Sequence, residues 1–134
     1  AIAARGGVIG AVGFPGFVSQ AARPSLDRFI DHIDHIVDLV GIDHVGLGID
    51  YYPGQHPVAD EAAARAYYEA SLASGRWRGN AYPPPPHHYP EGIETPQRLQ
   101  RLTERLLGKG YAEQDVRKIL GLNWLRVYEQ VWGS

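Results

Sequence analysis

Two short apolar runs, residues 7–14 and residues 41–50, bracket one amphipathic helix, and that arrangement narrows the fold more than any other feature of the chain. The first run, Gly7-Val8-Ile9-Gly10-Ala11-Val12-Gly13-Phe14, follows a Gly6-Gly7 break and ends at Pro15-Gly16. Its length and β-branched content suit a buried strand better than a helix. Between the runs, Leu26, Phe29, Ile30, Ile33, Ile36, Val37 and Val40 recur at helical spacing, with Ser25 as N-cap and Gly41 as the stop. The second run carries Ile42, Val45, Leu47 and Ile49 as its apolar body, while Gly46 and Gly48 leave room for close neighbours. Strand, helix and strand joined by short connections make a βαβ unit with parallel strands, so the class is α/β.

The second run ends on Asp50, followed by Tyr51-Tyr52-Pro53-Gly54-Gln55-His56. A carboxylate at the C-terminal end of a parallel strand sits where α/β folds gather their chemistry. The alternative is that Asp50 only caps its turn through local hydrogen bonds. Gly10, Gly13 and Gly16 do not form a G-x-G-x-x-G pattern, so strand packing explains them better than a phosphate loop.

The helix carries Asp31-His32-Ile33-Asp34-His35, and two histidines three residues apart on one helix can hold zinc. These residues interleave with the apolar positions, however, and read as a polar stripe flanking the packed face. His44 reads as a residue leading into the strand. Residues 51–95 form a long segment of their own, with helix material from residues 60 to 72 and a proline-rich run from Tyr82 to Pro90 expected to be extended. Its aromatics, Trp77, Tyr82 and Tyr89, argue for an ordered lid over a neighbouring site, while a proline-rich ligand for a partner's groove is the other reading. Residues 96–134 read as C-terminal helices, the first opened by Thr95-Pro96 and striped by Leu99, Leu102, Leu106 and Leu107, a second spanning residues 113–120. In the last helix Leu125, Val127, Tyr128, Val131 and Trp132 are available for packing, and Arg101, Arg105, Arg117, Lys118 and Arg126 read as solvated.

A net charge of −2 gives no electrostatic footprint for nucleic acid, and no run of 18 apolar residues offers a transmembrane span. Cysteine is absent, which excludes a disulfide framework and a thiolate metal site and leaves the compartment open. Methionine is absent too, including at position 1, and Ala1 to Gly7 looks like the end of a helix with its glycine cap. Residues 1–134 therefore read as a single segment of a longer protein.

Several blocks occur together in order: Gly7-Val8-Ile9-Gly10, then Asp31-His32-Ile33-Asp34-His35-Ile36-Val37, then residues 41–50, then Gly110-Tyr111-Ala112-Glu113-Gln114-Asp115-Val116-Arg117-Lys118-Ile119-Leu120-Gly121-Leu122-Asn123-Trp124-Leu125-Arg126-Val127. This combination resembles the C-terminal part of the membrane dipeptidase (renal dipeptidase-like) family, most weakly across residues 51–90. The resemblance implies a zinc-dependent dipeptidase on a (β/α)8 barrel of the amidohydrolase type. Such barrels take about 250 residues, so the chain corresponds to the last third, with residues 7–14 as the seventh strand and residues 45–49 as the eighth.

By the same resemblance the catalytic aspartate at the end of the eighth strand falls on Asp50, where it contacts the substrate's free amino end beside the metal-bound water. Family members often carry Asp-Phe-Asp-Gly here; Asp50-Tyr51-Tyr52-Pro53-Gly54 keeps only the first aspartate, which points to a different substrate preference with Tyr51 and Tyr52 beside the substrate. The family's two zinc ions are held by residues of the first, third, fifth and sixth strands, none of them in this chain, so His32, His35, His56, His87 and His88 are not assigned as ligands. In the whole enzyme the zinc pair would lower the pKa of a bridging water to about 7 for attack on the peptide carbonyl. The partners implied are a dipeptide substrate and the remainder of the barrel, upstream or on another chain. Unpaired sheet edges also favour association, including a homo-oligomer. The alternative function is a non-catalytic fragment that acts only by associating with a partner or with itself.

Overall fold

The computed structural model describes residues 1–21, 23–51, 60–78, 82, 84–85 and 88–133. The two apolar runs narrow to strands β1 (Ile9–Val12) and β2 (Val45–Gly48), which pair in parallel in the register Ile9↔Val45 through Val12↔Gly48. Pro15 ends the first run by taking the first position of a short helix, α1 (Pro15–Val18), with Phe14 extended before it. Residues 17–24 were expected as loop; their start is instead this helical turn, because a proline's fixed φ suits that first position. At the N-terminus a 3₁₀ turn, Ala3–Arg5, closes on Gly6 in the left-handed region, as the Ala1 to Gly7 pattern implies.

The crossover is helix α2 (Leu26–Val40), capped by the Ser25 hydroxyl, which accepts from the Arg28 N–H at 3.2 Å. Its apolar face buries Phe29, Ile30 and Ile33 completely, against Ala11, Val45 and Ile49 of the sheet. At roughly 1.5–3 kcal/mol per fully buried side chain, this face holds α2 onto the strands. Strand residues alternate faces, so Val45 and Ile49 turn toward α2 while Gly46 and Gly48 turn away. A side-chain carbon on Gly46 would collide with the Trp124 indole, and one on Gly10 would lie 3.3 Å from the same ring. The room expected beside Gly46 is thus filled by one tryptophan.

That tryptophan comes from the C-terminal helices. A 3₁₀ turn, Pro96–Arg98, leads into α4 (Gln100–Gly108), which buries Leu102 and Leu106, after α3 (Glu61–Ala73) earlier in the chain. Thr95 precedes the 3₁₀ turn without a side-chain cap bond. Then come α5 (Glu113–Arg117), a widened π-type turn over Lys118–Leu122, and α6 (Asn123–Trp132). The single helix expected over residues 113–120 gives way at this turn, where Gly121 leaves helical geometry.

Side-chain donors join α6 to backbone carbonyls of β2 and its approach. Asn123, 3% exposed, donates Nδ2–H bonds to the Ile42 and Val45 carbonyls at 2.8 Å each, and Trp124 Nε1 donates to Leu47 O at 3.0 Å. Arg126 donates to Gly6 O at 2.7 Å and Asp43 O at 2.8 Å, and Lys118 pairs with Asp43 at 2.7 Å. Arg126 and Lys118 are therefore not the free solvated charges expected of them; backbone carbonyls outside the ladder need donors, which Arg126 supplies, while Lys118 pairs with the Asp43 carboxylate. Conversely Leu125, Tyr128, Val131 and Trp132, expected to pack, stand 43–76% exposed in the described chain.

Candidate functional site

The site lies at the C-terminal end of the paired strands. Ile49 is buried against α2, and the next residue, Asp50, turns the backbone to φ +67, the one non-glycine residue with positive φ among those described. Its side chain is exposed and makes no hydrogen bond or ion pair with any described residue. A turn-capping aspartate would spend its oxygens on nearby N–H groups. Among the described residues Asp50 meets no such group, and the residues next in line for a cap, from Tyr52 on, lie outside them.

The Asp50 backbone is held from a distance. The Tyr89 hydroxyl donates to the Asp50 carbonyl at 3.1 Å, from a side chain only 3% exposed. Tyr51, half-buried, donates its hydroxyl to Ile93 O at 2.7 Å, and its ring lies 4.9 Å from that of Tyr89. Burial, helped by the neighbouring Tyr89 and Glu94, pushes the Tyr51 phenol up to about 12, so it stays a neutral donor at any physiological pH. Tyr52 and His56 lie outside the described residues.

Beyond Asp50, α3 is capped by Asp60, whose Oδ1 accepts from Ala63 N–H at 2.9 Å. An aromatic chain ties this segment to the sheet. Trp77 meets Tyr67 edge-on at 5.4 Å and stacks on Tyr82 at 4.7 Å, and Tyr82 meets Phe14, just past β1, edge-on at 5.9 Å. Pairs of this kind contribute roughly 0.5–1.5 kcal/mol each beyond area burial. Of the proline-rich run, Tyr82, Pro84, Pro85 and residues 88–90 are described; His87 is not.

Glu94 follows directly after the anchoring Ile93. Burial would raise its carboxyl, but the Glu94 and Gly92 N–H groups together with Arg98 and Arg23 hold it down to about 2. Arg23 reaches it at 2.7 Å and Arg98 at 2.9 Å. This ion-paired carboxylate ties residues 23, 94 and 98 together and escaped the sequence reading, since nothing in the local pattern links Arg23 to a residue 71 positions away. Tyr89 was singled out only as lid material; its place at the end of the proline-rich run, next to Pro90, was the available signal.

Two of the histidines, His32 and His44, bond to backbone. His32 Nε2 is 2.9 Å from Val18 O and His44 Nδ1 is 2.9 Å from Gly7 O, each joining a helix or strand approach to the backbone beside it. Asp34 accepts from Lys109 Nζ at 2.6 Å and from the Tyr111 hydroxyl at 2.7 Å, and Asp31 pairs with Arg28. Burial, then Asp34, pushes the Tyr111 phenol above its ordinary range. The polar stripe on α2 is thus used to fasten the outer helices. Among the described residues no three His, Cys, Asp or Glu side chains gather in a way that could hold a metal ion, and no helix is long and apolar enough to cross a membrane.

Comparison with known proteins gives this geometry a setting. The chain is 29% identical over 110 residues to dipeptidase ataJ of Aspergillus terreus, a match covering 82% of this chain and 19% of that protein. An amidohydrolase from Pseudomonas aeruginosa superposes with a TM-score of 0.70 at 28% identity, over 98% of this chain and 38% of that one. A metallopeptidase from Rhodobacter sphaeroides, solved with a phosphinate mimic of the dipeptide L-Ala-D-Ala, superposes with a TM-score of 0.66 at 22% identity and shares the fold, over 98% of this chain and 29% of that one. The chain thus spans about a fifth of the length of the curated relative and about a third of the solved chains. The sequence profile of the membrane dipeptidases matches residues 1–69 and 84–132, and the chain belongs to that family, peptidase family M19.

Proposed function

We propose that the whole protein is a metal-dependent dipeptidase, and that this chain forms the last two strands and C-terminal helices of its (β/α)8 barrel. The observation that carries the reading is Asp50: an exposed carboxylate, unpartnered among the described residues, at the C-terminal end of a parallel strand. Catalytic groups of such barrels come from those strand ends. The dipeptide mimic bound by the related Rhodobacter sphaeroides protein supports a dipeptide as substrate. Among the described residues β1 and β2 pair only with each other, so each keeps an outer edge for which the rest of a barrel supplies a neighbour.

Among the described residues no group of side chains gathers to hold a metal ion; in this reading the zinc ions would be held by residues of the barrel's earlier strands, as the family resemblance implies. What this chain contributes is a place for the substrate. Asp50 accepts hydrogen bonds from the ammonium group at the dipeptide's free amino end and holds a proton as the peptide bond breaks. Tyr51, with Tyr52 as the sequence suggests, would flank that end, and the described part of the segment after Asp50 would cover the site on one side, fastened beside the sheet through Tyr82 and Phe14. A cover at this point limits the site to short peptides.

Asp50→Asn in the assembled, metal-loaded enzyme tests the reading. Dipeptide turnover falls at least 100-fold, in the range a lost proton-transfer group gives, while metal content by elemental analysis stays the same. Unchanged turnover would sink the assignment. A second reading, a non-catalytic segment that acts by association, draws on the exposed Leu125, Tyr128, Val131 and Trp132 of α6. An intact-mass spectrum of the native preparation separates the two: a lone 14.8 kDa species without metal favours the second.

A further inference from the structure

Asp50 occupies a backbone region that L-residues other than glycine visit at a cost, and such conformations persist only where surrounding structure over-determines them. The Asp50 side chain supplies none of that support among the described residues. The support comes from its carbonyl, which accepts the Tyr89 hydroxyl at 3.1 Å. Tyr89 is itself immobilised. It is 3% exposed and its ring is set against Tyr51, whose hydroxyl is anchored on the carbonyl of fully buried Ile93. Between them, Glu91 N–H donates to Pro24 O at 2.8 Å, fixing the segment to the approach of α2.

A carbonyl held in one direction fixes the peptide plane that follows it, and the φ and ψ of a residue decide where its Cβ points. We propose that Tyr89 is a positioning residue for Asp50: its hydroxyl holds the Asp50 peptide in the left-handed turn that presents the carboxylate to the substrate's amino group. This rests on the reading of Asp50 as the group that binds the dipeptide's amino end. It also gives the end of the proline-rich run a role separate from covering the site, since Tyr89 acts from beneath, inside the core.

The test measures binding as well as turnover, in the assembled, metal-loaded enzyme. Tyr89→Phe removes one oxygen and keeps the ring. Two probes are titrated calorimetrically, a phosphinate dipeptide mimic and the same compound lacking its amino group, against Tyr89→Phe, Asp50→Asn and the double variant. Tyr111→Phe, which loses a hydroxyl bond to Asp34 on the outer helices, controls for general loosening.

Tyr89→Phe is expected to weaken the amino-bearing mimic about 10-fold and to lower kcat/KM roughly 10- to 100-fold, the scale of an ångström-sized misplacement. The mimic without the amine changes by less than about twofold, and the double variant binds no more weakly than Asp50→Asn alone, because both changes remove one interaction. Equal weakening of both mimics, or an effect of Tyr89→Phe that persists undiminished in the Asp50→Asn background, shows a merely structural tyrosine and overturns the proposal. So does an unchanged preference for the amine in Tyr89→Phe. If Asp50→Asn itself keeps the full preference for the amine, the reading of Asp50 fails first, and this result is seen independently of any change at Tyr89.

Discussion

The indole nitrogen of Trp124 occupies the space that a side chain on Gly46 would need, while donating its proton to the Leu47 carbonyl of the same strand. The absence of one methyl group on β2 therefore sets how closely the C-terminal helices approach the sheet. Gly46→Ala displaces the ring and breaks that bond. The expected loss is about 2–4 kcal/mol, overpacking plus one hydrogen bond, read as a fall in the urea midpoint at constant slope. Gly108→Ala, at a helical position with nothing within 4 Å, should instead stabilise by up to about 1 kcal/mol.

Asn123 is a buried polar side chain, and its amide satisfies two carbonyls at once. Asn123→Leu leaves the Ile42 and Val45 oxygens buried without their donor. The expected cost is roughly 2–4 kcal/mol, more than for an exposed ion pair such as Arg28–Asp31, and thermal unfolding measures it.

Asp50→Gly separates stability from chemistry at one position. Relief of the left-handed backbone offsets the greater freedom of glycine in the unfolded chain, so stability should hold or rise by up to about 1 kcal/mol. Turnover of the assembled enzyme should fall as far as in Asp50→Asn. A clear drop in melting temperature would show that the aspartate side chain supports the fold.

Acid should loosen the segment around Glu94. Its carboxyl titrates at about 2 when folded against an ordinary 4.5, so the folded state gains stability that is fully present above pH 4.5 and is lost as the pH falls toward 2. Glu94→Gln should flatten that decline and lower stability at neutral pH by roughly 1–2 kcal/mol, the partly solvated pairs with Arg23 and Arg98 being screened by water. Melting temperatures from pH 7 to pH 2 for both proteins check this. Parallel curves would argue against the role of Glu94.

The parts that could be read in advance were periodic or punctuated. The spacing of Phe29, Ile30 and Ile33 announces the buried face of α2, Ser25 and Gly41 mark its ends, and Asp50 stands out at the end of a strand pattern. The ties across the fold could not be read this way. Arg126 stands between Leu125 and Val127 in sequence, and charged side chains usually face water; its partners are backbone oxygens of residues 6 and 43, which no composition or spacing reveals. Tyr89 bonds a carbonyl 39 residues away, across a stretch whose proline content suggests only extension. A break at Gly121 was legible, but the widened turn that begins at Lys118 was not, because residues 113–120 carry enough helical character to be read as one helix.

The two tyrosine bonds at the mouth of the long segment, Tyr51 to Ile93 and Tyr89 to Asp50, close it off as a cassette. These bonds fasten its two ends to each other and to the core, and Tyr82 against Phe14 adds a tie from within. Lengthening such a loop costs only the slowly growing entropy of closure, so the interior can be exchanged while the carboxylate stays where it is. The family profile breaks off at residue 69 and resumes at residue 84, within this interval. Under the proposed roles, a swap of residues 60–85 between family members would be a transplant that changes which peptides are cleaved and leaves Asp50 untouched, and substrate profiles of the chimera and its parents check it.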